Sequence, residues 1–440
     1  MKRFALALVL VFLVLPWARL STLDSRPSIL ISLAQGEIRV TSQSYENRFP
    51  KEIAFQLKAE GDQDIKTITF FYRVGSGRST SYAYPSFNPG RTVEASYVLP
   101  TAGARYVVPG SELEYYYEIE AAGGAKLKTQ PVKLTYEDTR FTWQKLPGNQ
   151  VTVYYYGQEG VARRILQVAQ DTLAKMAASA GQSMERPVKV YVYASKRDMD
   201  VALPFRSETS TRDLITQGEA FSDADLVMIL GSDPDVGPTT AHELTHLITD
   251  QLTSNPFAGI PAWLNEGLSM FAEGELRAVN QQAVNDAIRR SSLLTLRAAS
   301  GLPGKPEQVN LFYGEAYSVV RYLIDTYGPQ KMSQLLATFK EGTSADQALK
   351  KVYGFDVDGL EAQWRAAIGA PPVQGAAQQG PAKPDAVPTI VPFGANQPAP
   401  VPASSQAESQ TRSAFYVVLA ASVVFVSLAF LGGLLLVRRR

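Results

Sequence analysis

The 440-residue chain has two histidines, His242 and His246, placed four residues apart with Glu243 beside the first. On a helix, positions i and i+4 share a face, so both imidazoles can reach one ion while Glu243 is offset toward its open side. The segment follows Pro238, a residue suited to a helix start. With no cysteine in the chain, thiol catalysis, disulfide scaffolds and Cys-ligated zinc are excluded. A catalytic zinc site uses three protein ligands and keeps one position open for water. The third ligand must therefore be a carboxylate. Glu266, in Pro261-Ala-Trp-Leu-Asn-Glu266-Gly-Leu-Ser-Met-Phe-Ala-Glu273, offers one from a second helix. Asp250 competes for the role, but at His246+4 it would stack three ligands along one helix, where they approach a single ion poorly. Glu273, two turns beyond Glu266, reads either as a group orienting an imidazole or as a solvated charge. The chemistry expected is hydrolysis: His242, His246 and Glu266 holding one Zn2+, with Glu243 as general base.

His242-Glu243-x-x-His246 followed by Trp263-Leu-Asn-Glu-Gly267 resembles the gluzincin metallopeptidases. The second block is similar to the aminopeptidase N family, and Ala241 to Asp250 is similar to thermolysin. The combination resembles the broader peptidase MA-like group over roughly residues 150 to 368. The resemblance implies a zinc-dependent metallopeptidase acting on a peptide or protein substrate. It also implies an oxyanion donor, which thermolysin-like enzymes draw from a further histidine that this chain lacks. The run from Tyr313 to Leu323 resembles the aminopeptidase N helix that begins with the catalytic tyrosine, which gives the role to Tyr313. Tyr317, one turn later, is the alternative, and helix packing is the plain reading of both. Three departures stand out. The spacing from His246 to Glu266 is one residue longer than in aminopeptidase N relatives, Met270 replaces a supporting Asp of the thermolysin pattern, and the Gly-Ala-Met-Glu-Asn motif that anchors a free amino terminus is missing.

The elements that must position these residues follow from hydropathy period. Residues 36–137 alternate apolar and polar in short runs between Gly, Pro, Asn and Asp clusters, which predicts an all-β sandwich resembling immunoglobulin or fibronectin type III modules. Tyr115 to Tyr117 read as sheet packing within it. Over 148–369 the period changes. Strands at Gln150–Tyr156, Val188–Tyr193 and Asp225–Leu230, a helix at Gly160–Ala180 and a helical pattern from Gly237 to Ile368 predict an α+β catalytic domain. Gly218–Phe221 is the candidate edge for an extended substrate backbone.

The ends of the chain indicate a location. Lys2 and Arg3 precede an apolar run from Phe4 to Pro16, so residues 1–34 read as a signal peptide or N-terminal anchor. Ser413 to Val437 carries no charge and is followed by Arg438-Arg439-Arg440, which predicts a transmembrane helix over 413–437 and a cytoplasmic basic tail at 438–440. The proline-rich stretch 370–412 reads as a linker that holds the body, expected to be extracytoplasmic, off a single-pass membrane anchor. The absence of cysteine and of Asn-x-Ser/Thr sequons favours bacterial export. With 43 basic against 42 acidic residues there is no field to steer nucleic acid. Two rival readings share these features: a non-catalytic zinc-containing surface protein whose sandwich binds an unidentified protein or surface partner, and a zinc hydrolase of another amide bond.

Overall fold

The computed structural model describes residues 37–77, 79–180, 184–204, 217–257 and 259–373. The expected signal or anchor, nearly all of the linker, the 413–437 span and the basic tail lie outside the described residues. Among the described residues no helix is long and apolar enough to cross a membrane.

A β-rich N-terminal region comes first. Its strands are β1 (Ile38–Arg48), β2 (Glu52–Val74), β3 (Ser81–Ala83), β4 (Gly90–Pro100), β5 (Ser111–Ala121), β6 (Lys126–Lys128) and β7 (Val132–Tyr136). The short alternating runs Ile53–Leu57 and Ile65–Tyr72 belong to the two halves of the single long β2. Its first half pairs with β1 and β4, its second half with β3 and β5, and the register against β4 shifts between Glu60 and Ile65. The Gly61-Asp-Gln-Asp64 segment bends the strand without ending it, because its backbone stays bonded: Asp62 N–H donates to Glu37 O, and Asp64 O accepts from Ala122 N–H. All seven strands thus belong to one hydrogen-bonded sheet. The two halves of β2 close over a shared core. Phe55 from the first half meets Phe70 from the second and Tyr115 from the neighbouring β5, with ring centroids 4.7 and 4.8 Å away. Tyr115 and Tyr117 are buried in this core, while Tyr116 points to the other face and stacks on Phe71.

A second, five-stranded sheet has the order β11-β12-β10-β9-β8. It comprises β8 (Gln144–Pro147), β9 (Val151–Tyr155), β10 (Val188–Tyr193), β11 (Gly218–Phe221) and β12 (Leu226–Leu230), with α1 (Glu159–Ala180) between β9 and β10 and α2 (Lys196–Ala202) after β10. The inner pairings are parallel and the two outer ones antiparallel. Both faces of its centre are covered, and the sequence of β10 shows how. Val188, Val190 and Val192 alternate with Tyr191 and Tyr193. The valines, with Val227 and Ile229 of β12, join the core built with the helices. The tyrosines, with Leu226, Met228 and Leu230, face a separate cluster that includes Val108 and Trp143 from the N-terminal side.

The rest is helical: α3 (Val236–Thr253), α4 (Ala262–Glu273), α5 (Ala278–Arg290), α6 (Val309–Tyr327), α7 (Pro329–Lys340), α8 (Ala345–Tyr353) and α9 (Val357–Ala367). α3 is buried along most of its length, so its interior histidines are presented by a helix that cannot shift without disturbing the core.

Candidate metal centre

His242, Glu243 and His246 lie on α3, and Glu266 lies on α4, as their spacing predicts. The imidazole centroids are 4.8 Å apart. Glu266 Oε2 is 3.5 Å from His242 Nε2 and 3.7 Å from His246 Nε2. Ligand atoms bonded tetrahedrally to zinc at ordinary bond lengths are separated by about 3.3 Å, so one ion fits among these three with little adjustment. Among the described residues, His242, His246 and Glu266 are the one group of three ligating side chains so gathered.

Whether these residues suit a cation is decided by Glu266. Its Oε2 is buried and has no hydrogen-bond partner. A buried carboxylate oxygen left so costs several kcal/mol unless something positive fills the gap. The histidine nitrogens facing the other way are already engaged. His242 Nδ1 donates to Glu273 Oε1 at 2.6 Å, and His246 Nδ1 lies 3.2 Å from Ser269 Oγ. Both Nε2 atoms are thereby left facing the point where Glu266 Oε2 converges. The donor set fits a divalent transition metal.

Charge tells the same story. Burial pushes the His242 imidazolium down, but Glu266, Glu273 and Glu243 outweigh it and hold its pKa well above the usual histidine range. Burial pushes the Glu266 carboxyl up, and the two histidines overcome it, leaving the carboxyl below its ordinary value. Burial raises the Glu243 carboxyl, against the pull of His242 and His246. Glu266 in front of the imidazoles, Glu273 behind His242 and Glu243 beside them thus concentrate buried negative charge around the pair and call for positive charge there.

The other expected residues separate clearly. Asp250 is not among the gathered ligating groups; burial raises its carboxyl, and the charges that act on it are those of Asp223, Arg186 and Asp225. Glu273 is the group that orients His242, and Arg277 holds its second oxygen at 3.4 Å. It takes the place that Met270 cannot fill. Tyr313 is buried with its ring 6.4 Å from the His242 ring, whereas the Tyr317 hydroxyl accepts from Arg321 Nη1. Burial, then the charges of Glu266, Glu243 and Glu273, keep the Tyr313 phenol well above its ordinary pKa, so it remains a donor. Gly267 lets α4 and α6 approach closely: a Cβ there would collide with the Ala316 carbonyl. That approach brings Tyr313 to the centre.

Sequence reading missed Ser269 and the staple at the start of α3. There, buried Asp233 accepts from Thr239 Oγ1 at 3.0 Å and from Gln217 Nε2 at 3.1 Å. Ser269 stands where the thermolysin pattern Asn-Glu-x-x-Ser-Asp has its serine, a match that could have flagged it, whereas Asp233 and Gln217 meet only through the sheet. The Gly218–Phe221 edge is found as the outermost strand β11, antiparallel to β12.

A mixed sheet feeding a helical half, with two histidines on one helix and a glutamate on the next, defines a metallopeptidase-like domain. The comparisons name the group: residues 168–370 match the Peptidase MA superfamily model and form a domain of that superfamily, consistent with the gluzincin-like resemblance. No curated protein matches the chain. Among solved structures it is similar to a bromine derivative of BhCBM56, at 13% identity over 21% of this chain and 88% of that one, with TM-score 0.17. It is also similar to BC0361, a polysaccharide deacetylase from Bacillus cereus, at 10% identity over 38% of this chain, with TM-score 0.19. The chain spans 53% of the deacetylase, about half its length. At these TM-scores neither likeness carries an argument.

Proposed function

We propose that the protein is a zinc metallopeptidase, anchored by the 413–437 segment with its body extracytoplasmic, that hydrolyses peptide bonds in peptide or protein substrates. The observation that carries the reading is the orphaned Glu266 oxygen facing two oriented imidazoles, beside a buried glutamate on the same helix. His242, His246 and Glu266 hold the ion, and Glu273 and Ser269 orient the imidazoles. A zinc ion bound there supplies Lewis-acid activation of water and charge stabilisation. Glu243, raised by burial, takes the proton of the attacking water and returns it to the leaving amine. Tyr313 donates its hydroxyl hydrogen to the carbonyl oxygen as negative charge develops. The edge strand β11 pairs with an extended substrate backbone, which gives main-chain bonds with little side-chain selectivity. The pairing of β1, β2 and β4 against β3, β5, β6 and β7 across a common core supports an immunoglobulin or fibronectin type III-like reading of the N-terminal region.

The test is hydrolysis of a mixed peptide library by the zinc-loaded protein and by Glu243→Gln. Wild type cleaves, and the variant binds one zinc per chain while its rate falls at least 100-fold. If both are inert with normal zinc content, the enzymatic reading fails and the site is structural.

A further inference from the structure

The N-terminal β-rich region touches the catalytic domain at the strand that flanks the metal centre, and this contact assigns it a role. Strand β11 passes directly over the general base: a Cβ built on Gly218 would lie 2.7 Å from Glu243 Cγ and 2.9 Å from Thr239 Cγ2. A shift of the strand by even an ångström would therefore change what surrounds Glu243. At its start the strand is held from within the catalytic domain. Gln217 O accepts from Leu230 N–H at 2.8 Å, and the Gln217 side chain bonds Asp233, which also takes the Thr239 hydroxyl of α3. Its far end is held from outside. The Asp223 carbonyl, two residues past Phe221, accepts both the backbone N–H of Ser76 at 2.8 Å and its hydroxyl at 3.1 Å. Ser76 follows β2 of the N-terminal region. Gly75 has φ +64°, and a Cβ there would collide with the same Asp223 carbonyl. Tyr106, from the same region, sets its ring 6.2 Å from that of Phe221 and donates its hydroxyl to Ala202 O at 2.6 Å.

We infer that the N-terminal region is a brace for the substrate-binding edge: Gly75, Ser76 and Tyr106 are positioning residues that fix the register of β11 against Glu243. The inference rests on the proposed role of β11 in the peptidase reading. It gives the region a function in the reaction itself, through the chain's own contacts, without requiring an external partner.

The experiment compares Gly75→Ala with Gly124→Ala in the zinc-loaded full chain in detergent. Gly124 has φ +81° with no atom within 4 Å of a built Cβ, so its variant carries a comparable backbone strain without displacing Asp223. Hydrogen–deuterium exchange of the amides at 217–224 is expected to quicken at least tenfold in Gly75→Ala and to match wild type in Gly124→Ala, with one zinc per chain in both. For a blocked decapeptide selected from the library by wild type, KM rises at least fivefold in Gly75→Ala while kcat stays within twofold. Tyr106→Phe, which keeps the ring and loses one hydrogen bond, gives a smaller change of the same kind and serves if Gly75→Ala does not fold. Unchanged exchange at 217–224 in both folded variants overturns the brace. If wild type cleaves no peptide at all, the peptidase reading fails, and the exchange comparison still decides the brace.

Discussion

His242 is the residue on which most of the local chemistry converges. Its Nδ1 is tied to Glu273, its Nε2 faces Glu266, and its ring lies beside Tyr313. Glu273 is held in turn by Arg277, so the imidazole is fixed through a two-step chain of charge-assisted bonds. The charge on Glu273 makes His242 a stronger donor to a metal, and a neutral amide would orient the ring without that push. Glu273→Gln should therefore weaken zinc binding about 10- to 100-fold, with little change in fold. Competition against a chromogenic chelator measures this. An affinity equal to wild type would reduce Glu273 to a packing residue. Only half of this arrangement can be read along the chain, since Glu266 and Glu273 are spaced to share a face but nothing in their spacing says which histidine the second one meets.

At the scale of elements, the helical half is joined by buried charge as well as by apolar packing. Glu315 on α6 accepts the Leu294 N–H at 3.0 Å, and Glu361 on α9 accepts the Leu296 N–H at 3.0 Å. Arg365 pairs with Glu361 at 2.8 Å and donates to Leu293 O and Leu294 O. The loop between α5 and α6 is thus pinned to two helices by groups that water barely reaches. Glu361 has its arginine, but Glu315 Oε2 has no partner, and burial pushes its carboxyl up to about 8. The folded protein then keeps a proton on Glu315 that the unfolded chain releases near the ordinary value of 4.5. Stability attached to that proton is complete below about pH 4.5 and is lost as pH rises to about 8, at roughly 1.4 kcal/mol per pH unit. Glu315→Gln cannot ionise, so its stability relative to wild type should improve steadily across this window. Urea unfolding of both proteins at pH 5, 6, 7 and 8 checks it, and parallel curves would show that Glu315 titrates normally.

Across the whole molecule, the five-stranded sheet is the plate on which two units are mounted. One face packs on helices through Val190, Val192, Val227 and Ile229, and the other presents Tyr191, Tyr193, Leu226, Met228 and Leu230 to residues from the N-terminal side. Trp143 stands edge-on to Tyr191 and Tyr193, with centroids 4.9 and 5.2 Å away. Lys189 bonds Gly110 O at 2.9 Å and pairs with Glu112, and Asp138 takes the Tyr193 hydroxyl at 3.2 Å. Each large ring buried here contributes on the order of 2 kcal/mol. A fragment beginning at residue 144 would keep all five strands and expose this aromatic face to water. It should bind a hydrophobic dye and elute as aggregates in size exclusion, where the longer chain does neither. A monomeric, dye-silent fragment would mean that the face is not needed for folding. That His242, His246 and Glu266 could gather around one point was legible from residue types and spacing alone, because one helix turn fixes where two of them point and a metal site would need a third donor. The helical half, the strands β9, β10 and β12, and the edge β11 were legible for a related reason: hydropathy period records which side of each element meets a core. Chain order could not convey that β2 bends through a corner, that Ser269 lies behind His246, or that residues after β2 grip the end of β11. Those facts depend on which surfaces meet once the elements are packed, and side chains distant in sequence acquire their partners only there.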